Sequence, residues 1–196
     1  KGFAAKAKKL ANANVHIFKD LISAHTPLLG IEPSTILSFR DEYPALVNAD
    51  LKQDMLRMAP HCLMLDEFLY NEFKKGNIQS GQFTEAKQHI RLHGHCHQKS
   101  ISSTLYTKEV LSIPQHYSID EIPSGCCGMA GSFGFEKEHY ELSQQIGELV
   151  LFPEVKKTSE YDMIAAPGTS CRQQIEEGTG RHVFHPIEIL FNALKP

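Results

Sequence analysis

Five cysteines and a short run of histidines carry most of the chemical potential of this 196-residue chain. Cys62 stands apart. Cys96 sits in His93-Gly94-His95-Cys96-His97, Cys126 and Cys127 are neighbours in Ser124-Gly125-Cys126-Cys127-Gly128, and Cys171 closes Pro167-Gly168-Thr169-Ser170-Cys171. An odd count, unevenly spread, is not the pattern of a secreted disulfide framework and points to a reducing compartment. Adjacent cysteines close a disulfide only through a strained ring, whereas two neighbouring thiolates framed by glycine readily serve one metal centre. Cys96, Cys126, Cys127 and Cys171 are therefore the candidate metal ligands, and four sulfurs suit either zinc or an iron-sulfur cluster. Twenty-nine residues separate Cys96 from the pair and forty-three separate the pair from Cys171. Zinc ribbons use knuckles of about two to four intervening residues, so ligands this far apart need the fold before the site can exist.

Gly125 and Gly128 permit close backbone approach and can aim N–H groups at bound sulfur, which makes them candidate cofactor-binding residues. His93 and His97 join them. His93, His95 and His97 alternate, so on an extended segment they share one face and Cys96 takes the other. Such histidines supply a ligand, carry protons or lower a thiol pKa, with capping and surface hydrogen bonding as the competing use. The same holds for His185 ahead of Pro186. Cys62, inside a helical pattern, reads as a buried thiol that packs as a small hydrophobe. Gly178-Thr179-Gly180 reads as a turn, and no dinucleotide fingerprint, Ser-His-Asp order or paired-carboxylate signature stands out.

The elements that must position these residues follow from periodicity. The chain is 41% apolar and 22% charged, enough for one ordinary domain or two small half-domains. Phe3, Ala7, Leu10, Ile17 and Leu21 predict a helix over 3–24, and 27–31 reads as a strand. Residues 49–75 read as two helices broken at Pro60, Cys62 included. Strands follow at 88–92, 117–122, 161–166 and 182–184. Helices are expected at 100–110, along Phe135, Leu142, Ile146 and Leu149, after Cys171, and after Pro186. Alternating strands and helices predict an α/β fold with a mostly parallel sheet and helices on both faces. Every cysteine turn then falls beyond the carboxyl end of a strand, where ligands gather in such folds. Cys96, Cys126, Cys127 and Cys171 are expected to converge there, with Cys62 elsewhere.

A faint internal repeat matches Gly2-Phe3, a helix, a strand and Pro33-Ser34-Thr35 with Gly134-Phe135, a helix, a strand and Pro167 to Cys171. It suggests two half repeats with the first truncated: 1–48 its end, 49–86 a helical connector, and 87–196 the second repeat. Lys1 is not an initiator, so the chain reads as a piece of something longer. An incomplete first half is expected to self-associate, or to bind the missing segment, beside Pro27 to Ser34. The net charge of -3, with basic residues scattered apart from Lys6, Lys8 and Lys9, argues against nucleic acid as a partner. No stretch approaches the roughly 18 apolar residues of a membrane span.

His93-Gly94-His95-Cys96-His97, Ser124 through Gly131, Pro167 through Cys171 and His185-Pro186 together resemble the cysteine-rich CCG domain. That domain is shared by one of the heterodisulfide reductase subunits, the iron-sulfur subunits of glycolate oxidase and anaerobic glycerol-3-phosphate dehydrogenase, and lactate-utilisation proteins. The run from Cys126 through Gly178-Thr179-Gly180-Arg181 most resembles the carboxyl-terminal part of fused FAD-linked oxidases of D-lactate or D-2-hydroxyglutarate. Glu32-Pro33-Ser34 with Arg40-Asp41-Glu42-Tyr43 resembles the end of the first repeat. Two positions depart from the family pattern. Gly168 stands where the first cysteine of a Cys-x-x-Cys would be, and Thr35 stands where many relatives have cysteine.

The resemblance implies an electron-transfer module relaying electrons from flavin towards a quinone or other acceptor. Its cofactor would be an iron-sulfur cluster of [4Fe–4S] type, with zinc as the alternative, and FAD would be held only on another domain of the parent. It implies FAD-binding and ferredoxin-like domains as partners. The setting would be cytoplasmic, or peripheral at the inner face of the membrane. The competing class is a zinc-held or metal-free scaffold that docks those domains. A thiol redox enzyme using Cys126 and Cys127 ranks last, because the pair lacks Cys-x-x-Cys spacing. The chain alone, without a flavin site or a general base in a recognisable constellation, is expected to oxidise no 2-hydroxy acid.

Overall fold

The structure, a computed structural model, describes residues 2–196. It divides into two compact units, one ending at Phe68 and one spanning Leu69–Pro196. The first unit contains α1 (Ala4–Phe18), β1 (Leu28–Gly30), α2 (Pro33–Ile36), α3 (Glu42–Leu46), α4 (Lys52–Met58) and β2 (Cys62–Met64). Helix α5 (Leu65–Lys74) starts in this unit and ends in the next. β1 and β2 pair in parallel, with Leu28 opposite Cys62 and Gly30 opposite Met64.

Two expectations for this unit are corrected. α1 stops at Phe18, because Ser23 and Thr26 close a backbone-paired turn and the Thr26 hydroxyl donates to the Leu21 carbonyl at 2.6 Å. Its buried side is Ala11 and Val15, while Phe3, Leu10, Ile17 and Leu21 are exposed. Small residues face inward because α3 packs closely, with Asn14 donating to the Tyr43 hydroxyl at 2.7 Å. Cys62, in turn, lies in a strand and not a helix. Its three-residue strand is too short to show a period, and its apolar residues continue directly into α5. The backbone there is tied by Arg40, which donates to the Cys62 carbonyl at 2.7 Å and pairs through both terminal nitrogens with Glu67. Burial pushes the Cys62 thiol up to about 11, so it stays protonated and inert.

The second unit is built on four parallel strands: β3 (Gln88–Leu92), β4 (Tyr117–Glu121), β5 (Met163–Ala165) and β6 (Val183–Phe184), in the order β4-β3-β5-β6. The helices are α6 (Cys96–Ile101), α7 (Leu105–Leu111), α8 (Tyr140–Leu149), α9 (Leu151–Lys156), α10 (Thr169–Thr179) and α11 (Pro186–Asn192). Alternation along the strands sorts the core into two faces. Ile90, Leu92 and Ala165 pack with Leu111 of α7 and Ile189 of α11. Ile164 and Val183 pack on the other face with Phe152 and Val155 of α9 and Ile175 of α10, and Cys127 and Cys171 belong to that cluster. The region expected as one helix, 100–110, is broken at Ser102, which leaves the helical region of the backbone. Phe135 falls in a single 3-10 turn ahead of α8, not in the helix.

Phe152 is fully buried under two glycines. Carbons added at Gly147 of α8 and Gly178 of α10 would lie 2.4 and 2.3 Å from its ring. Glycine to alanine inside a helix ordinarily gains up to about 1 kcal/mol. Here overpacking costs about 1–3 kcal/mol, so Gly178→Ala is expected to lower the melting temperature, read by thermal unfolding.

Candidate metal centre

β3 lies between β4 and β5, so after β4 the chain crosses back to the other side of β3. In open parallel sheets such a reversal opens a crevice beyond the carboxyl ends of the strands that flank it. The ladder persists to the lip of that crevice: His93 donates to Ala165 at 2.8 Å and Ile122 to Leu92 at 2.8 Å. Continuing the alternation of β3, the His93 side chain falls on the same face as Arg91, towards α9 and α10. Cys96 opens α6, Cys126 and Cys127 lie in the loop after β4, and Cys171 lies in the first turn of α10.

The four sulfurs influence one another in series, Cys126 acting on Cys96 and Cys127, and Cys127 on Cys171. Cys127 and Cys171 form the tighter group with His93, and Cys96 and Cys126 lie outside it. Burial grades along it, from exposed Cys96 and half-buried Cys126 to buried Cys127 and Cys171. The Cys127 and Cys96 thiols, with the N–H groups of Gly128 and Ala130, hold Cys126 far below the ordinary thiol value. Cys127 is pushed far up by donating to Cys126 and Cys171 and by burial, and Cys96 is pushed up by donating to Cys126 and by burial. Cys171 is lowered to about 5, chiefly by the Cys127 thiol and then by His93, against the opposing effect of burial. The directions therefore alternate, with Cys126 and Cys171 favouring the thiolate and Cys96 and Cys127 the thiol. Four sulfurs this close cannot all ionise unless a cation joins them, and the thiolate is the form that binds soft metals.

Three anchors hold the Cys126–Cys127 loop. Gly128, with φ 104°, donates its N–H to Cys126 Sγ at 3.3 Å. Gln174 of α10 is buried and shares its amide nitrogen among the Cys127 carbonyl at 3.2 Å, the Ser143 carbonyl at 3.0 Å and the Ser143 hydroxyl at 2.8 Å. Lys99 of α6 donates to the Ser124 carbonyl at 2.7 Å. Gln174→Leu leaves buried carbonyls without a donor and is expected to cost about 1–3 kcal/mol. Urea unfolding, together with faster alkylation of Cys127, checks it.

His93 lies beside Cys127 and Cys171, the three donor atoms all within 4.8 Å of one another. His97 does not enter that group. It lies in the first turn of α6, half-buried, because the extended segment with alternating faces gives way to helix at Cys96. His95 ends the extended stretch and caps α6, its Nδ1 accepting the His97 N–H at 3.2 Å. His185 caps α11 in the same way, accepting from Ile187 at 3.1 Å. Gly125 has open space around it. Sequence reasoning missed Ser124, whose hydroxyl lies 2.8 Å from His93 Nδ1, and Gln174. The only signal for Ser124 was its place next to Gly125 at a strand end.

Comparison with known proteins finds dehydrogenase relatives. One of the subunits of anaerobic glycerol-3-phosphate dehydrogenase from Escherichia coli is 30% identical over 194 residues, covering 98% of this chain and 47% of that one. D-2-hydroxyglutarate dehydrogenase of Pseudomonas putida is 30% identical over 191 residues, 96% of this chain and 17% of that one. The corresponding enzyme of Pantoea ananatis is 25% identical over 195 residues, 99% and 18%. The matched region is the carboxyl-terminal part of these proteins. That correspondence fits the resemblance to the CCG-type cysteine-rich region. It spans about half the length of the glycerol-3-phosphate dehydrogenase subunit and under a fifth of the D-2-hydroxyglutarate dehydrogenases. No family model and no solved structure matches it. Among the described residues, no helix is long and apolar enough to cross a membrane.

Proposed function

We propose that the chain is the electron-transfer module of a larger dehydrogenase, holding an iron-sulfur centre on Cys96, Cys126, Cys127 and Cys171. The observation that carries the reading is the juxtaposition of four sulfurs, in which Cys126 and Cys171 favour the thiolate. A cluster bound there supplies one-electron transfer, and its potential responds to hydrogen bonds at sulfur and to burial. The chain's own residues provide both. Gly128 and Ala130 direct N–H groups at Cys126, and Cys127 and Cys171 keep the inner side of the site from water. Cys96, exposed, marks the edge nearest solvent, where an electron would enter or leave. The parent's other domains would bring FAD and ferredoxin-like clusters. Its substrate would be a 2-hydroxy acid such as D-lactate or D-2-hydroxyglutarate, and its acceptor a quinone or another carrier.

Anaerobic purification tests this. The expected product is brown, absorbs near about 400 nm and releases iron with acid-labile sulfide, since such clusters are chromophores. It should not reduce a dye acceptor with either 2-hydroxy acid when flavin is absent. A colourless protein holding stoichiometric zinc would replace this reading with that of a zinc-held scaffold. That second reading draws on the compactness of His93, Cys127 and Cys171, within 4.8 Å of one another. Tetrahedral zinc with bonds of about 2.0–2.3 Å holds its ligands at about that separation.

A further inference from the structure

We propose that His93 is itself a metal ligand, through Nε2, in a mixed nitrogen-sulfur centre with Cys127 and Cys171, and that Ser124 fixes its tautomer; this rests on the metal-holding reading above. His93 is 1% exposed, and its Nε2 is buried with no hydrogen-bond partner of acceptable geometry. Leaving a buried polar atom unsatisfied costs about 1–3 kcal/mol, so such atoms call for an explanation. Nδ1 is taken up by Ser124, and a ring nitrogen of His93 lies with the Cys127 and Cys171 sulfurs in a group whose donor atoms are all within 4.8 Å of one another.

The other ring nitrogen supplies the second half of the argument. Ligation at Nε2 requires the proton on Nδ1, and Ser124 Oγ, 2.8 Å away, is placed to accept it. A ligating histidine commonly donates its far N–H to such a partner, which fixes ring orientation and raises basicity. His95, two residues on, shows the opposite arrangement. Its Nδ1 accepts the His97 N–H at 3.2 Å, so in the neutral ring Nε2 carries the hydrogen. His95 is thereby a donor beside the sulfurs and not a ligand. Gly168 leaves room for this packing: a carbon added there would lie 2.4 Å from His95 Cδ2 and 3.2 Å from Cys171 Sγ. An imidazole in place of a thiolate removes one negative charge from the centre. In an iron-sulfur centre that raises the reduction potential, and around zinc it completes a cysteine-histidine set.

The test uses the whole metal-free chain with Co²⁺ as the probe, under anaerobic reducing conditions and with ¹⁵N-labelled histidine. The wild type is expected to show sulfur-to-cobalt charge-transfer absorption together with hyperfine coupling to one imidazole nitrogen. His93→Gln should keep the charge-transfer band, lose the nitrogen coupling and bind Co²⁺ more weakly. Ser124→Ala should keep the coupling and weaken binding about 10- to 100-fold, as loss of an orienting partner does. Should His93→Gln fail to fold, His95→Gln and His97→Gln supply the complement: coupling that persists in both supports His93, and coupling lost in either overturns it. Sulfur-only spectra in the wild type, or coupling that survives in His93→Gln, overturn the assignment of His93 while leaving the metal-holding reading intact. A chain that takes up neither Co²⁺ nor iron overturns both.

Discussion

Replacing Cys127 by serine should strip the centre from the anaerobically purified chain and lower its stability as well. Cys127 is 3% exposed, belongs to the core cluster with Phe152 and Ile175, and is the sulfur that links Cys126 to Cys171. Serine removes a soft ligand and brings a hydroxyl into an apolar cluster. Unsatisfied burial of such a group costs about 1–3 kcal/mol. Iron, sulfide and zinc per chain should all fall to the background level in the variant. Cys62→Ala supplies the control. That thiol is fully buried in β2 of the first unit and donates weakly to the Met58 carbonyl at 3.6 Å, so its loss should cost about 1–2 kcal/mol through a small cavity. Metal content should not change. Equal loss of metal from both variants would sink the assignment of Cys127, because it would mean that general destabilisation empties the site.

The contrast between these two cysteines shows what the sequence discloses. β3 is visible residue for residue because Ile90 and Leu92 alternate with His89 and Arg91, and the two faces of a sheet impose that period. Once the strands are placed, parallel topology sends their carboxyl ends to one edge, so the grouping of Cys96, Cys126, Cys127 and Cys171 can be anticipated from their places after strands. β2 is hidden, because three residues that run into a helix carry no period of their own. The buried side of α1 is not given by its apolar spacing for a related reason. Apolar spacing marks a face, but the partner element decides which face is covered, and α3 takes the side of Ala11, Asn14 and Val15. Ser124 and Gln174 act through partners far along the chain, His93 and Ser143, and long-range register is not written in local spacing. The histidine run is half legible. Its residue types announce metal or proton chemistry, but the change from strand to helix between His93 and His97 separates their roles.

The metal-free chain should also show a stability maximum near the ordinary thiol pKa, with opposite slopes on either side. Cys171 drops from an ordinary value of 9.0 to about 5 in the folded chain, and Cys126 is lowered too. A group whose folded pKa is depressed contributes stability that is complete above its unfolded pKa and is lost as pH falls through the folded value. Between about pH 5 and 9 the unfolded chain therefore binds more protons than the native one, and stability rises with pH. For Cys171 the slope has an upper limit of about 1.4 kcal/mol per pH unit, since one unit of pKa shift is worth about that much. Cys96 and Cys127 are shifted the other way. Above about pH 9 the unfolded thiols ionise while these two keep their protons, so the native chain then holds more protons and stability falls. Thermal unfolding in chelator and reductant, with Cys171→Ser as the reference, isolates the rising limb. The wild type should gain on the variant steadily from pH 5 to 9. A difference that stays flat across that range would mean that Cys171 is not a thiolate in the folded chain. The alternation of thiolate and thiol along the four sulfurs would then be wrong at its innermost member.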